Sequence, residues 1–81
     1  MDDVIVNLLS VILKKLVVNT DAIKIDKDDS SRDGLIIYRV TVDENDMGKV
    51  IGRQGRTAKS IRSVVRAAAM LNNVRAAVEI G

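Results

Sequence analysis

Eighty-one residues, 47% apolar and 30% charged, suit one small domain with a single core and do not suit a disordered or fibrous chain. With no Cys and no His, the sequence excludes disulfides, thiolate or imidazole metal sites, Cys nucleophiles and His general bases. The formal net charge of +2 conceals a division: residues 1–46 hold six Lys/Arg against ten Asp/Glu, and residues 47–81 hold seven against one, which points to a polyanionic partner.

Over residues 3–18, polar Asp3, Asn7, Ser10 and Lys14 recur at spacings of four, three and four, which sets them on one side of a helix. Val4, Ile5, Leu8, Leu9, Val11, Ile12, Leu13 and Leu16 fill an arc wider than a simple amphipathic stripe. That helix is expected to be deeply packed or shared with another chain. Asp2 and Asp3 at its start and Lys14 and Lys15 at its end suit the helix dipole. Asn19-Thr20-Asp21 interrupts the pattern, after which Ile23 and Ile25 alternate with Lys24 and Asp26 at the period of a half-buried strand. Residues 28–34 are a polar, turn-forming connection to a second strand over residues 35–42, with Ile36, Tyr38, Val40 and Val42 on one face. The two strands are expected to form an antiparallel hairpin.

Asp43-Glu44-Asn45-Asp46 then supplies capping residues ahead of a short helical turn at Met47–Ile51, which glycine stops. Over Arg56–Leu71, the spacing of Ala58, Ile61, Val65 and Ala68 defines the buried face of a second long helix, with Arg56, Lys59, Arg62 and Arg66 on the other side. Asn72-Asn73 reads as a turn and residues 74–80 as a final strand. The expected fold is α+β, helix-strand-strand-helix-helix-strand, with helices on one face of a three-stranded sheet. The longest apolar run, residues 67–71, is far short of the roughly 20 that a membrane helix needs. The opening Met1-Asp2-Asp3 is acidic where an export signal is basic, so a cytoplasmic location is expected.

Three of the five glycines fall within residues 47–56, and Gly52 and Gly55 sit where one helix ends and the next begins. Glycine accepts positive φ at such an exit and lets another backbone come close. The free N–H groups that open the following helix make a seat for phosphate oxygens. Lys49, Arg53, Arg56, Lys59 and Arg62 surround that seat, and residues 47–78 contain no acidic side chain. A tight helix-to-helix turn beside a solvated basic face is the plainer reading of either half alone, but solvated faces ordinarily mix both signs.

Val50-Ile51-Gly52-Arg53-Gln54-Gly55, with Ile61 following, resembles the core motif of the KH domain, an RNA-binding module whose G-x-x-G loop clamps four backbone nucleotides. The element order resembles the bacterial type II arrangement over essentially the whole chain, residues 1–81 as one domain. The longer stretch over residues 48–62 is similar to small stand-alone bacterial KH proteins. The resemblance implies that Gly52, Arg53, Gln54 and Gly55 hold the backbone of single-stranded RNA while Val50 and Ile51 line an apolar groove. It also implies a role as RNA chaperone or post-transcriptional regulator, self-association into a homodimer, and heterodimerisation with a larger KH protein of the KhpB or Jag kind. KH sequences often carry a branched aliphatic three residues after the second glycine, where this chain has Ala58. The one aromatic residue, Tyr38, reads as core, so weak base selectivity is expected.

No nucleotide-binding enzyme pattern fits: Gly52–Gly55 is neither G-x-x-x-x-G-K-[ST] nor G-x-G-x-x-G, and no nucleophile and base are paired. No metal or cofactor is expected, because Asp43, Glu44 and Asp46 read as a capping turn. The runner-up is a protein-interaction module that assembles through its apolar first helix and binds no nucleic acid.

Overall fold

The computed structural model describes residues 3–80 and has the element order α1 (Val4–Leu16), β1 (Lys24–Asp28), β2 (Leu35–Thr41), α2 (Met47–Ile51), α3 (Arg56–Leu71) and β3 (Arg75–Ile80). Single 3-10 turns lie at Thr20–Ala22 and Arg53–Gly55. Asp2, expected to favour the start of α1, lies outside the described residues.

Helix α1 starts at Asp3 because its backbone is extended there and its Oδ1 accepts from the N–H groups of Ile5 (2.8 Å) and Val6 (3.2 Å). The other carboxylate oxygen accepts from the Tyr38 hydroxyl (3.0 Å) and lies 2.9 Å from Lys27 Nζ. One side chain thus caps the helix and ties it to the sheet. Ile5, Leu9 and Leu13, at helical spacing, are buried, while Val4 and Val11 are 54% and 56% exposed. The expectation of a deeply packed α1 therefore holds on one side only.

The sheet order is β1-β2-β3, with β1 antiparallel and β3 parallel to the central β2. A parallel partner cannot be reached by a hairpin, so α2 and α3 form the crossover. Register sets two faces. Ile25, Val40 and Ile80 align across the inner face, as do Lys27, Tyr38 and Val78. On the outer face Asp26, Arg39 and Glu79 are aligned, and Arg39 bonds Glu79 at 2.9 Å and Asp28 at 3.2 Å. Tyr38, Val40, Val78 and the buried residues of α1 and α3 meet in one core between the helices and the inner face.

On α3 the buried residues are Ala58, Ile61, Val65 and Ala69. Ala69 replaces the expected Ala68 because a further step of four follows the 3.6-residue turn more closely than a step of three. The Asn72-Asn73 turn is a Schellman motif: Val74 N–H bonds Ala69 C=O, Asn73 N–H bonds Met70 C=O, and Asn73 takes φ 57°. A chain reversal this short returns β3 directly alongside β2.

Candidate nucleic-acid interface

The expected capping role of Asp46 is corrected by the structure. Asp46 precedes α2, but its backbone is helical and its side chain makes no cap bond to that helix. Its carboxylate instead accepts from Val18 N–H (3.1 Å) and Asn19 N–H (3.0 Å), the amides that follow α1. These backbone bonds hold its carboxyl below the usual carboxylate range. At 3% exposure it is the buried charged residue of the described chain, and it fixes the start of α2 against the end of α1. Asp43, beside it, accepts from Asn45 N–H and from Asn19 Nδ2.

From that anchor α2 runs five residues to Gly52, whose N–H bonds Gly48 C=O at 2.8 Å. Gly52 has φ 77° and ψ 173°, a region essentially restricted to glycine. A Cβ there would lie 2.2 Å from Thr57 Oγ1 and 2.8 Å from Thr57 N. The close approach that requires this glycine is therefore internal, between the loop and the first turn of α3. Gly55 differs: it is left-handed at φ 74°, yet a Cβ would meet nothing within 4 Å. Its open side is surface available to a ligand.

The Gly55 N–H closes the loop on Gly52 C=O at 3.1 Å, with Gln54 left-handed at φ 56°. Arg53 and Gln54 occupy the two middle positions of this turn and are both exposed. Gly55, at the cap position of α3, brings no side chain to the helix's opening amides.

The expected cations are not equivalent. Lys49 Nζ stands 3.5 Å from Asp46, at the α1–α2 junction, so its charge is partly spent. Arg56 bonds Gln54 Oε1 at 3.3 Å and thus lies over the loop. Arg53 and Lys59 are exposed without a carboxylate partner among the described residues. Arg62 turns the other way, donating from Nε to Val78 C=O of β3 at 3.4 Å. Arg53, Gln54 and Arg56 therefore cluster at the loop, while Arg62 marks the flank of α3 beside β3.

Val50 is fully buried in the core, so the groove-lining role expected of it is not available to its side chain. Ile51, next to it, is 38% exposed and offers apolar surface at the loop. Tyr38 is 1% exposed with its hydroxyl bonded to Asp3, so it presents no ring to a base. Sequence reasoning missed Asp46 as the positioning residue, because only the fold brings residues 18 and 46 together.

Comparison with known proteins adds an independent finding. The family model described as "KhpA/KhpB, KH domain" matches residues 6–80. The chain is 45% identical over 73 residues to a Clostridium acetobutylicum protein named "RNA-binding protein KhpA", covering 90% of this chain and 95% of the relative. It is 44% identical over 73 residues to the protein of that name from Caldanaerobacter subterraneus, with the same coverage. It is 39% identical over 72 residues to the one from Chlamydia pneumoniae, covering 89% of this chain and 90% of the relative.

Proposed function

The chain belongs to the KhpA/KhpB KH-domain family, which is not a family of enzymes, and from that premise we propose that it binds single-stranded RNA at the Gly52–Gly55 loop. The observation that carries the reading is the loop itself. Two exposed side chains, an open-faced Gly55 and the start of α3, which no side chain caps although the Arg56 N–H bonds Arg53 C=O, adjoin one another beside Arg56. Phosphate oxygens accept from such amides, and Arg53 and Arg56 add charge-assisted bonds. With Tyr38 in the core, the strand is held by its backbone and base selectivity is low. Gln54, Lys59 and Lys49 complete the site, Gly52 shapes its loop by packing on Thr57, and Ile51 supplies its apolar edge.

The relatives' shared name supports RNA as the polyanion. Residues 1–81 act as one KH domain in the cytoplasm, as an RNA chaperone or post-transcriptional regulator. Among the described residues, no helix is long and apolar enough to cross a membrane.

Replacing Arg53 and Gln54 together by Asp tests the reading by fluorescence anisotropy on a short unstructured RNA at two salt concentrations. Asp tolerates the left-handed backbone at position 54, so the fold is expected to survive while binding collapses. Binding equal to the parent's would reduce the loop to a turn.

A second reading is favoured by the exposed valines of α1: self-association or pairing with a larger KH protein through the helix layer. It is compatible with the first, since the glycine loop takes no part in it.

A further inference from the structure

We propose that Gln54 serves the RNA site as a positioning residue: it holds the Arg56 guanidinium over the glycine loop before the strand arrives and does not itself hold the strand. This rests on the RNA reading above and deepens it.

Two independent observations converge on Gln54. The first is its backbone, which is left-handed at φ 56° and ψ 27°. Glycine takes that region freely and Asn is enriched there, whereas a longer side chain such as Gln carries a conformational cost. The other non-glycine residue with positive φ in the described chain is Asn73. A strained Gln in a binding loop points to a use for its side chain.

The second observation is what that side chain touches. Arg56 Nη2 donates to Gln54 Oε1 at 3.3 Å, and because a guanidinium has only donors, the amide oxygen is the atom that faces it. Two successive left-handed residues, Gln54 and Gly55, turn the chain so that the side chains of residues 54 and 56 meet. Arg56 is exposed and has no carboxylate partner among the described residues, so the Gln54 amide is the side-chain group that fixes it.

The chemistry of the acceptor suits this role. Lys49 is held 3.5 Å from the Asp46 carboxylate, which offsets its charge. The Gln54 amide is neutral, so Arg56 is oriented with its charge intact, and the bond leaves its Nε and Nη1 hydrogens for a phosphate. A long side chain ordered in advance gives up less rotamer freedom on binding.

A double-mutant cycle tests this, with affinity for a short unstructured RNA read by anisotropy at low salt and stability read by urea midpoint. Gln54→Gly and Gln54→Asn both suit the left-handed backbone, and neither reaches Arg56. Each should bind about two- to ten-fold more weakly than the parent, the cost of ordering one long side chain on binding. Gln54→Gly should at the same time raise the urea midpoint, because it relieves the backbone. In an Arg56→Ala background the same two substitutions should leave affinity unchanged, since Gln54 acts through the residue removed. A loss that persists there overturns the proposal and makes Gln54 a contact of the strand. A lowered midpoint for Gln54→Gly overturns it too, because binding would then be lost with the fold. A parent that binds no RNA removes the RNA reading and this one together; a parent that binds with both Gln54 variants its equal removes this one alone.

Discussion

Gly52 and Gly55 look interchangeable as letters and are not interchangeable as positions. At Gly52 a methyl group meets the backbone nitrogen of Thr57 at 2.8 Å, and backbone cannot swing aside as a side-chain tip can. At Gly55 only the conformational penalty applies, on the order of 1–3 kcal/mol for a non-glycine residue held there. Urea denaturation should therefore rank Gly52→Ala well below Gly55→Ala in stability, with Gly55→Ala about 1 kcal/mol below the parent. Equal losses would mean that Thr57 can move without cost. Arg53→Asp belongs to the same scale, because its effect is read on RNA while the midpoint of unfolding stays at the parent's value.

Helix α1 is joined to the rest of the protein at both ends by carboxylates that accept backbone N–H groups. At its start, burial pushes the Asp3 carboxyl up, but Lys27, the amides of Val6 and Ile5 and the Tyr38 hydroxyl outweigh this and hold it below its ordinary value. Asp46 is held low at the other end by the amides of Asn19 and Val18. Carboxyls depressed in the folded state stabilise it above their unfolded pKa of about 3.9 and lose that contribution as pH falls through the folded value. Urea midpoints measured from pH 6 to pH 2 should fall steeply below pH 4 and less steeply in Asp46→Asn. At the alkaline end, burial and the bond to Asp3 push the Tyr38 hydroxyl up to about 12. Its contribution is complete below its unfolded pKa of about 10 and is lost as pH rises through 12, so Tyr38→Phe should flatten the alkaline limb. Asp3→Ala removes the cap as well as the strut and should cost about 1 kcal/mol or more at neutral pH.

Across the whole molecule, positive charge gathers on the second half of the chain. Arg53, Arg56, Lys59, Arg62 and Arg66, which have no carboxylate partner among the described residues, follow the glycine loop and α3, and Asp28 and Asp46 are engaged by serine, Arg39 or backbone amides elsewhere. RNA affinity should consequently fall steeply with salt, the log–log slope giving about 0.7 per phosphate contacted. The exposed side of α1 allows association to be tested apart from folding. Leu9→Lys puts a charge in the core and unfolds the protein under any reading, whereas Val11 is half exposed and Val11→Lys should keep the fold. Sedimentation should show a dimer for the parent and a monomer for Val11→Lys; an identical mass for both would leave α1 without a partner on that side.

How much the sequence decided depends on the range of the interaction concerned. The extents of α1, α3 and the strands, the inward face of β2 and the position of the glycine loop follow from spacings of two to four residues, which local backbone geometry imposes. The KH resemblance was legible for the same reason, because its motif is a contiguous run. Three features required the folded chain: Asp46 serving α1 instead of α2, Gly52 facing Thr57 instead of a ligand, and Arg62 turning to β3 instead of the loop. Each depends on the direction in which a side chain or a missing Cβ points once distant segments are packed. Sequence spacing specifies a face of a helix or strand, and only the packed neighbours determine what stands opposite it.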